Sequence, residues 1–216
     1  MPKVSTRLKD ALPEWFHVPK GTLFWMQKDL DGNPFEHVIV KPGDVVMDCG
    51  ACVGTFSAWA LHQGARLTVA WEPEPRNFAQ LTANMEPFGN RARCVNAALV
   101  PGAAKTVNLI CSGFTGAHSV VRGKGKKVIT VAARRFRDEL FAIKPQVLKV
   151  DVESAEYDLF DSLRPGDLDG VRSAFVEFHP IEGKDERMAR VKRFVLDHGF
   201  RELCAVPRRW TAEAMR

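Results

Sequence analysis

"VVMDCGACVG", residues 45–54, is a short apolar run ending in a glycine turn that holds both an Asp-x-Gly and a Cys-x-x-Cys pattern. The two patterns predict different folds. Read as Cys49-x-x-Cys52, the stretch opens a redox module or half a zinc site. Read as Asp48-x-Gly50, with Gly54 four residues on, it joins the first strand of a parallel sheet to its helix and lets backbone approach a cofactor. The flanking sequence decides between them. The next strand-like run, "RLTVAWEP", ends at Glu72, 22 residues after Gly50. An acidic residue about 20 residues on is placed to bind ribose hydroxyls. The cysteine reading leaves Gly54 and Glu72 without a role, and Cys94, Cys111 and Cys204 occur singly, so no second pair completes a zinc site. Cys49 and Cys52 are read as small loop residues packed against the sheet.

Outward from this turn, strand-like and helix-like segments alternate for most of the chain. "TFSAWALHQGA" reads as a helix, "RNFAQLTANMEPFG" as a second, and "RCVNAALV" as a third strand. "KTVNLICS" and "KKVITVAAR" then predict two strands joined by a Gly-rich segment, an inserted hairpin or flap. "QVLKVDV" and "RSAFVEFHP" are further strands, each followed by a helix, and "FRELCAVPRRW" is a last one. Such alternation predicts an α/β domain over residues 44–216 with a mainly parallel central sheet and helices on both faces. Residues 1–43 stand outside it: "GTLFWMQKD" and "FEHVIVKPG" flank "LDGNP", which predicts a small N-terminal hairpin or cap.

Bulk composition narrows the class. With 216 residues the chain is long enough for one substantial core, and no apolar run approaches the roughly 20 residues of a membrane span. The N-terminus lacks the apolar core of a signal peptide, and five scattered cysteines make no disulfide framework, which predicts a cytoplasmic protein. The net charge of +5 suits an anionic partner, yet the densest basic run, "VRGKGKKV", is interleaved with glycines and reads as a solvated loop.

The loop also discriminates between cofactors. A dinucleotide site uses Gly-x-Gly-x-x-Gly to approach a pyrophosphate. Here a carboxylate, Asp48, precedes the turn, which suits the ammonium and sulfonium of S-adenosylmethionine better than a pyrophosphate. Acidic residues recur at later strand ends. Asp151 closes an otherwise apolar strand, where an unpartnered carboxylate is costly. Glu177 and His179 end the next strand on one face, so all three are expected at the rim that carries the glycine loop. Glu153 and Glu156 open a helix, where exposed amides favour carboxylates.

"VVMDCGACVGTFSAWA", "WEPEPRNFAQLTAN", "VNAALV" and "LKVDVESAEYDLF" occur in the order and near the spacing of FkbM-type S-adenosylmethionine-dependent methyltransferases, and the last block resembles that family's Lys-x-Asp-x-Glu-Gly-x-Glu. The resemblance runs from about Lys41 to His179. It implies a Rossmann-like class I methyltransferase fold that acts on a hydroxyl of a sugar or natural product. It further implies that Asp48, Gly50, Ala51, Gly54, Glu72 and Asn77 lie at or near the cofactor, Asn96 near the adenine, and Asp151 near the transferred methyl. Ser154 departs from the pattern, since it stands where the family block has glycine.

A sugar hydroxyl is a very weak acid, so an ordinary carboxylate is a poor base for it. Two remedies are open. His179 acts as the base with Glu177 or Asp151 orienting it, the preferred reading, or Asp151, Glu177 and His179 hold a divalent metal that acidifies the hydroxyl. Three rivals compete with a small-molecule or glycan acceptor: a nucleic-acid (RNA) methyltransferase, a non-catalytic S-adenosylmethionine-binding module, and an NAD oxidoreductase. The first lacks an aromatic-interleaved basic platform.

Overall fold

The first strand, β1 (Val45–Cys49), is buried at all five positions, which explains why its sequence is apolar except at Asp48. The computed structural model describes residues 7–19, 31–111, 118–121, 127–179, 181, 183–206 and 209–215. Beside β1 lie β2 (Leu67–Trp71) on one side and β7 (Val147–Val150) on the other, both parallel to it. With β3 (Ala92–Val95), β8 (Ser173–Glu177), β9 (Phe200–Val206) and β10 (Arg209–Ala214) they form a seven-stranded sheet in the order β3-β2-β1-β7-β8-β10-β9. β10 is antiparallel to both its neighbours. The other pairs run parallel, as the alternation of strands and helices predicts.

Side-chain alternation along the strands builds a core on each face. On one face, Met47, Trp71, Leu148 and Val176 meet helices α4 (Phe136–Ile143), α5 (Glu156–Asp161) and α6 (Lys184–Asp197) through Phe136, Tyr157, Val191 and Val195. On the other, Val46, Ala70, Val147 and Phe175 meet α2 (Thr55–His62) and α3 (Pro75–Met85). Every residue of α2 from Thr55 to Leu61 is buried, because the N-terminal segment covers what the sheet does not. There α1 (Leu8–Ala11) supplies Leu8, and the ring of Phe35 packs against Phe56, Trp59 and Phe175.

Three sequence expectations change. Phe35–Gly43 forms turns and extended chain and no strand, so the second arm of the expected N-terminal hairpin is absent, while residues 21–29 lie outside the described residues. "RCVNAALV" is two strands. β3 stays in the main sheet and β4 (Ala98–Val100) leaves to pair with β6 (Lys127–Arg135), the break falling where Asn96 turns to bond the chain after β2. The predicted last strand is likewise two, β9 and β10, on either side of Pro207 and Arg208, which lie outside the described residues. The inserted hairpin is present: β5 (Thr106–Cys111) pairs antiparallel with β6, and β4 completes a three-stranded sheet. Most of the basic run between them lies outside the described residues. No described helix is long and apolar enough to cross a membrane.

The packing of Phe35 makes the N-terminal segment part of the core. Phe35→Ala should lower unfolding stability by about 3–5 kcal/mol in denaturant titration. A loss below about 1 kcal/mol would show that this segment adds little to the fold.

Candidate active site

In the strand order, the chain moves outward from β1 in one direction through β2 and β3, and in the other through β7 and β8. A crevice opens at such a reversal, outside the carboxyl ends of the strands. The loops following β1, β2 and β7 line it, and the chain after β8 lies against the loop after β7.

The loop after β1 requires glycine at Gly50 on two counts. Its φ is +81°, and a β-carbon would stand 1.8 Å from the carbonyl oxygen of Asp151 in the loop after β7. The amides of Gly50 and Ala51 both donate to the carbonyl of Trp71, at 3.1 and 2.9 Å, which ties the loop to the end of β2. Gly54 has a different duty. It begins α2 at φ +92°, and a β-carbon there would come within 2.8 Å of Leu81 and 3.1 Å of Met85 on α3. It permits helix packing and does not line the crevice.

Glu72 follows β2 and does line it. Its Oε2 accepts the amide of Cys52 at 2.9 Å and its Oε1 accepts the amide of Glu74 at 2.9 Å. Burial pushes its carboxyl up to about 8 against these two hydrogen bonds and one from Asn77. Asn77 also lines the crevice, and its amide caps onto Glu74 at 2.8 Å. Asn96 does not line it; its side chain donates to the carbonyls of Glu72 and Pro73, at 2.8 and 3.3 Å, and so shapes the turn that carries Glu72. Leu109, His118 and Val120 of the inserted sheet and its connection form the opposite wall. Burial lowers the pKa of His118. The crevice is partly open to solvent, with about 620 Å³ of space between its walls, open solvent included.

Asp48 does not line the crevice. It is fully buried beneath the loop, directly across from Lys149 in the β1–β7 register. The ammonium of Lys149 lies 3.2 Å from Asp48 Oδ1, 2.6 Å from the carbonyl of Gly50 and 3.4 Å from Asp151 Oδ2. Burial opposes that charge, but Asp48 and Asp151 outweigh it and raise the pKa of Lys149. Ser57 of α2 donates to the other oxygen of Asp48 at 2.7 Å. A lysine on an apolar strand was the signal available for this role in the sequence.

Asp151 lines the crevice with its carboxylate partly exposed. Beyond it Glu153 and Ser154 adopt φ of +52° and +84°, so the serine at the family's glycine position sits in the left-handed region. Glu153 does not open a helix; it lines the crevice, a role the sequence reading missed. His179 Nε2 stands 3.4 Å from Glu153 Oε2 and 3.8 Å from Asp151 Oδ1. Burial opposes the charged imidazole, but Glu156, Asp151 and Glu153 outweigh it and raise its pKa to about 9.

Glu177 does not orient this imidazole. β8 ends at Glu177, so strand alternation no longer governs His179, and the Glu177 carboxylate accepts from Arg209, its partner across β10, at 3.2 Å. The positioning carboxylate is Glu156. It is wholly buried, accepts the main-chain amide of His179 at 2.6 Å, and accepts that of Ser154 at 2.9 Å. The Tyr157 hydroxyl donates to the carbonyl of His179 at 2.7 Å, so the turn is held from both sides. Of the residues expected at the site, Gly50, Glu72, Asn77 and Asp151 line one crevice, with His179 against Asp151. Asp48, Ala51, Gly54, Asn96 and Glu177 stand outside its lining.

Residues 48–202 match the family described as Methyltransferase FkbM domain. The 31-O-demethyl-FK506 methyltransferase FkbM of Streptomyces tacrolimicus is 26% identical over 223 residues, covering 85% of this chain and 84% of that protein. The crystal structure of Methyltransferase FkbM from Methylobacillus flagellatus KT matches with a TM-score of 0.55 at 13% identity, covering 95% of this chain and 56% of that chain. At that identity the likeness concerns the fold, a Rossmann-like class I methyltransferase fold. With the match spanning most of its length, the chain belongs to the FkbM methyltransferase domain family.

Proposed function

We propose that the chain transfers a methyl group from S-adenosylmethionine to a hydroxyl of a small sugar-like or natural-product-like acceptor. The observation that carries this reading is the set of side chains that line the crevice. Glu72, Asp151 and Glu153 line it, and among the described residues no lysine or arginine does. Such a wall offers carboxyl oxygens to a hydroxyl-rich ligand and, among the described residues, no lysine or arginine to a pyrophosphate or a nucleic-acid backbone.

The residues fit the cofactor. A carboxylate has about four acceptor sites, so Glu72 retains capacity for ribose hydroxyls beyond its protein partners. Gly50 keeps the loop thin enough for the chain after β7 to pass against it. When bound, S-adenosylmethionine supplies an electrophilic methyl carbon on a sulfonium. Asp151 reaches the crevice from the loop after β7, where it accepts a hydrogen bond from the acceptor hydroxyl and orients its oxygen. The neighbouring Glu153 and His179 complete the group at which the hydroxyl proton is lost. Positioning and proton removal are the protein's share of the chemistry.

Calorimetry should detect S-adenosylmethionine binding and little affinity for NADH. Glu72→Ala should weaken it by roughly 10–100-fold, as expected for the loss of two hydrogen bonds to the ribose hydroxyls. The double variant Cys49→Ser with Cys52→Ser should retain it, because Cys52 contributes a main-chain amide. Unchanged affinity in Glu72→Ala would overturn the ribose assignment.

Asp151→Asn should keep cofactor affinity within a few-fold and lower turnover by about 10²–10⁴-fold. Full turnover in that variant would remove Asp151 from the acceptor side.

The raised carboxyl of Glu72 also has a pH signature. Below its ordinary value of 4.5 it is protonated in folded and unfolded chains alike. Between 4.5 and about 8 the unfolded chain releases this proton while the folded one keeps it, so this contribution to stability falls as pH rises and levels off above about 8. Denaturant titrations across this range should show a smaller decline in Glu72→Gln than in the parent. Parallel profiles would show that Glu72 titrates normally.

A further inference from the structure

We propose that Asp151, Glu153 and His179 form a binding site for one divalent cation at the mouth of the crevice. One oxygen of each carboxylate and one imidazole nitrogen all lie within 4.8 Å of one another. The spacing is informative. His179 Nε2 is 3.4 Å from Glu153 Oε2 and 3.8 Å from Asp151 Oδ1, longer than the roughly 2.7–2.9 Å of a charge-assisted hydrogen bond. Ligand atoms about 2.0–2.2 Å from a shared ion stand roughly 3 to 4 Å apart, and these separations fall in that interval.

A second observation concerns the imidazole itself. His179 is only 8% exposed, yet Nε2 is aimed into the cluster and none of its approaches to a carboxylate is shorter than 3.4 Å. Behind the ring, Nδ1 faces Glu156 Oε1 at 3.5 Å, and that carboxylate is wholly buried. No hydrogen bond joins Nδ1 to that carboxylate, so Glu156 positions the ring through the main-chain amide of His179. Glu156 and Tyr157 fix the main chain of His179, so the ring is held for a ligand on its Nε2 side. Lys149 approaches Asp151 through Oδ2, which leaves Oδ1 directed at the histidine.

One imidazole and two carboxylates, without a thiolate, suit a first-row ion such as Mn²⁺ better than Ca²⁺ or Mg²⁺ with their all-oxygen shells. Three protein ligands leave coordination positions open. On the methyl-transfer reading, one of them would take an acceptor hydroxyl oxygen and the ion would ease loss of its proton to solvent; the oxygen would then bond to the methyl carbon as the carbon–sulfur bond breaks and S-adenosylhomocysteine leaves. Binding of the ion does not depend on that reading.

The test is a Mn²⁺ titration of the full chain followed by electron paramagnetic resonance, with neither cofactor nor acceptor present. One bound Mn²⁺ per chain is expected. Glu153→Gln and His179→Ala should weaken binding at least tenfold, and Glu156→Gln by about 10–100-fold through loss of support for the imidazole. Glu153 is partly exposed, so its variant remains informative if His179→Ala fails to fold. No Mn²⁺ binding by the folded parent, or equal binding by Glu153→Gln and His179→Ala, would overturn the site. In either case, methyl transfer that survives chelation would leave the proposed function standing. Binding that follows the variants supports the site even where methyl transfer is not detected.

Discussion

A single buried ammonium, Nζ of Lys149, joins the parts on which the crevice depends. It lies between two strands at the reversal of the sheet, contacting Asp48 on β1, the carbonyl of Gly50 in the first loop and Asp151 in the loop after β7. Burying such a charge is tolerable because its donors are directed at specific partners. Removing one partner of a buried pair typically costs about 3–5 kcal/mol, since the other is left without compensation. The loop that approaches the cofactor and the residue that approaches the acceptor are thus set by one electrostatic contact. Neither moves without disturbing the other.

Close backbone approach is the complementary constraint. The chain at Asp151 passes so near Gly50 that no β-carbon fits between them. Immediately afterwards, Glu153 and Ser154 take left-handed backbone conformations. Ser119 of the inserted sheet's connection donates to the carbonyl of Glu153 at 2.5 Å, and Glu156 accepts the amide of Ser154. The strained turn is held from both sides, which lets a serine serve where glycine would be the easier residue. The same turn brings Glu153 round to His179, so backbone geometry sets the acidic character of the crevice mouth.

Much of the fold could be read directly. β1 and β7 are apolar except for the paired Asp48 and Lys149 because the sheet is covered on both faces, and Gly50 and Glu72 follow from the same strand-turn-helix logic. The errors have physical causes. "RCVNAALV" has no punctuation between β3 and β4, because the break is imposed by Asn96 reaching a carbonyl 24 residues away in sequence. The final hairpin was compressed into one strand because β10 is defined by pairing with β8 and β9 rather than by a pattern of its own.

The sequence by itself determined the class of the fold, the family, and which strand ends carry acidic residues, because periodicity, turn chemistry and spacing are local properties. Tertiary structure alone decided what each carboxylate faces. Asp48 turned inward to Lys149, Glu177 outward to Arg209, and Glu156 supports His179 from beneath, while Glu153 reaches the crevice. A carboxylate's role depends on the charge it meets across the sheet and on the solvent it loses there. Partners distant in the chain set both, and no local pattern encodes them.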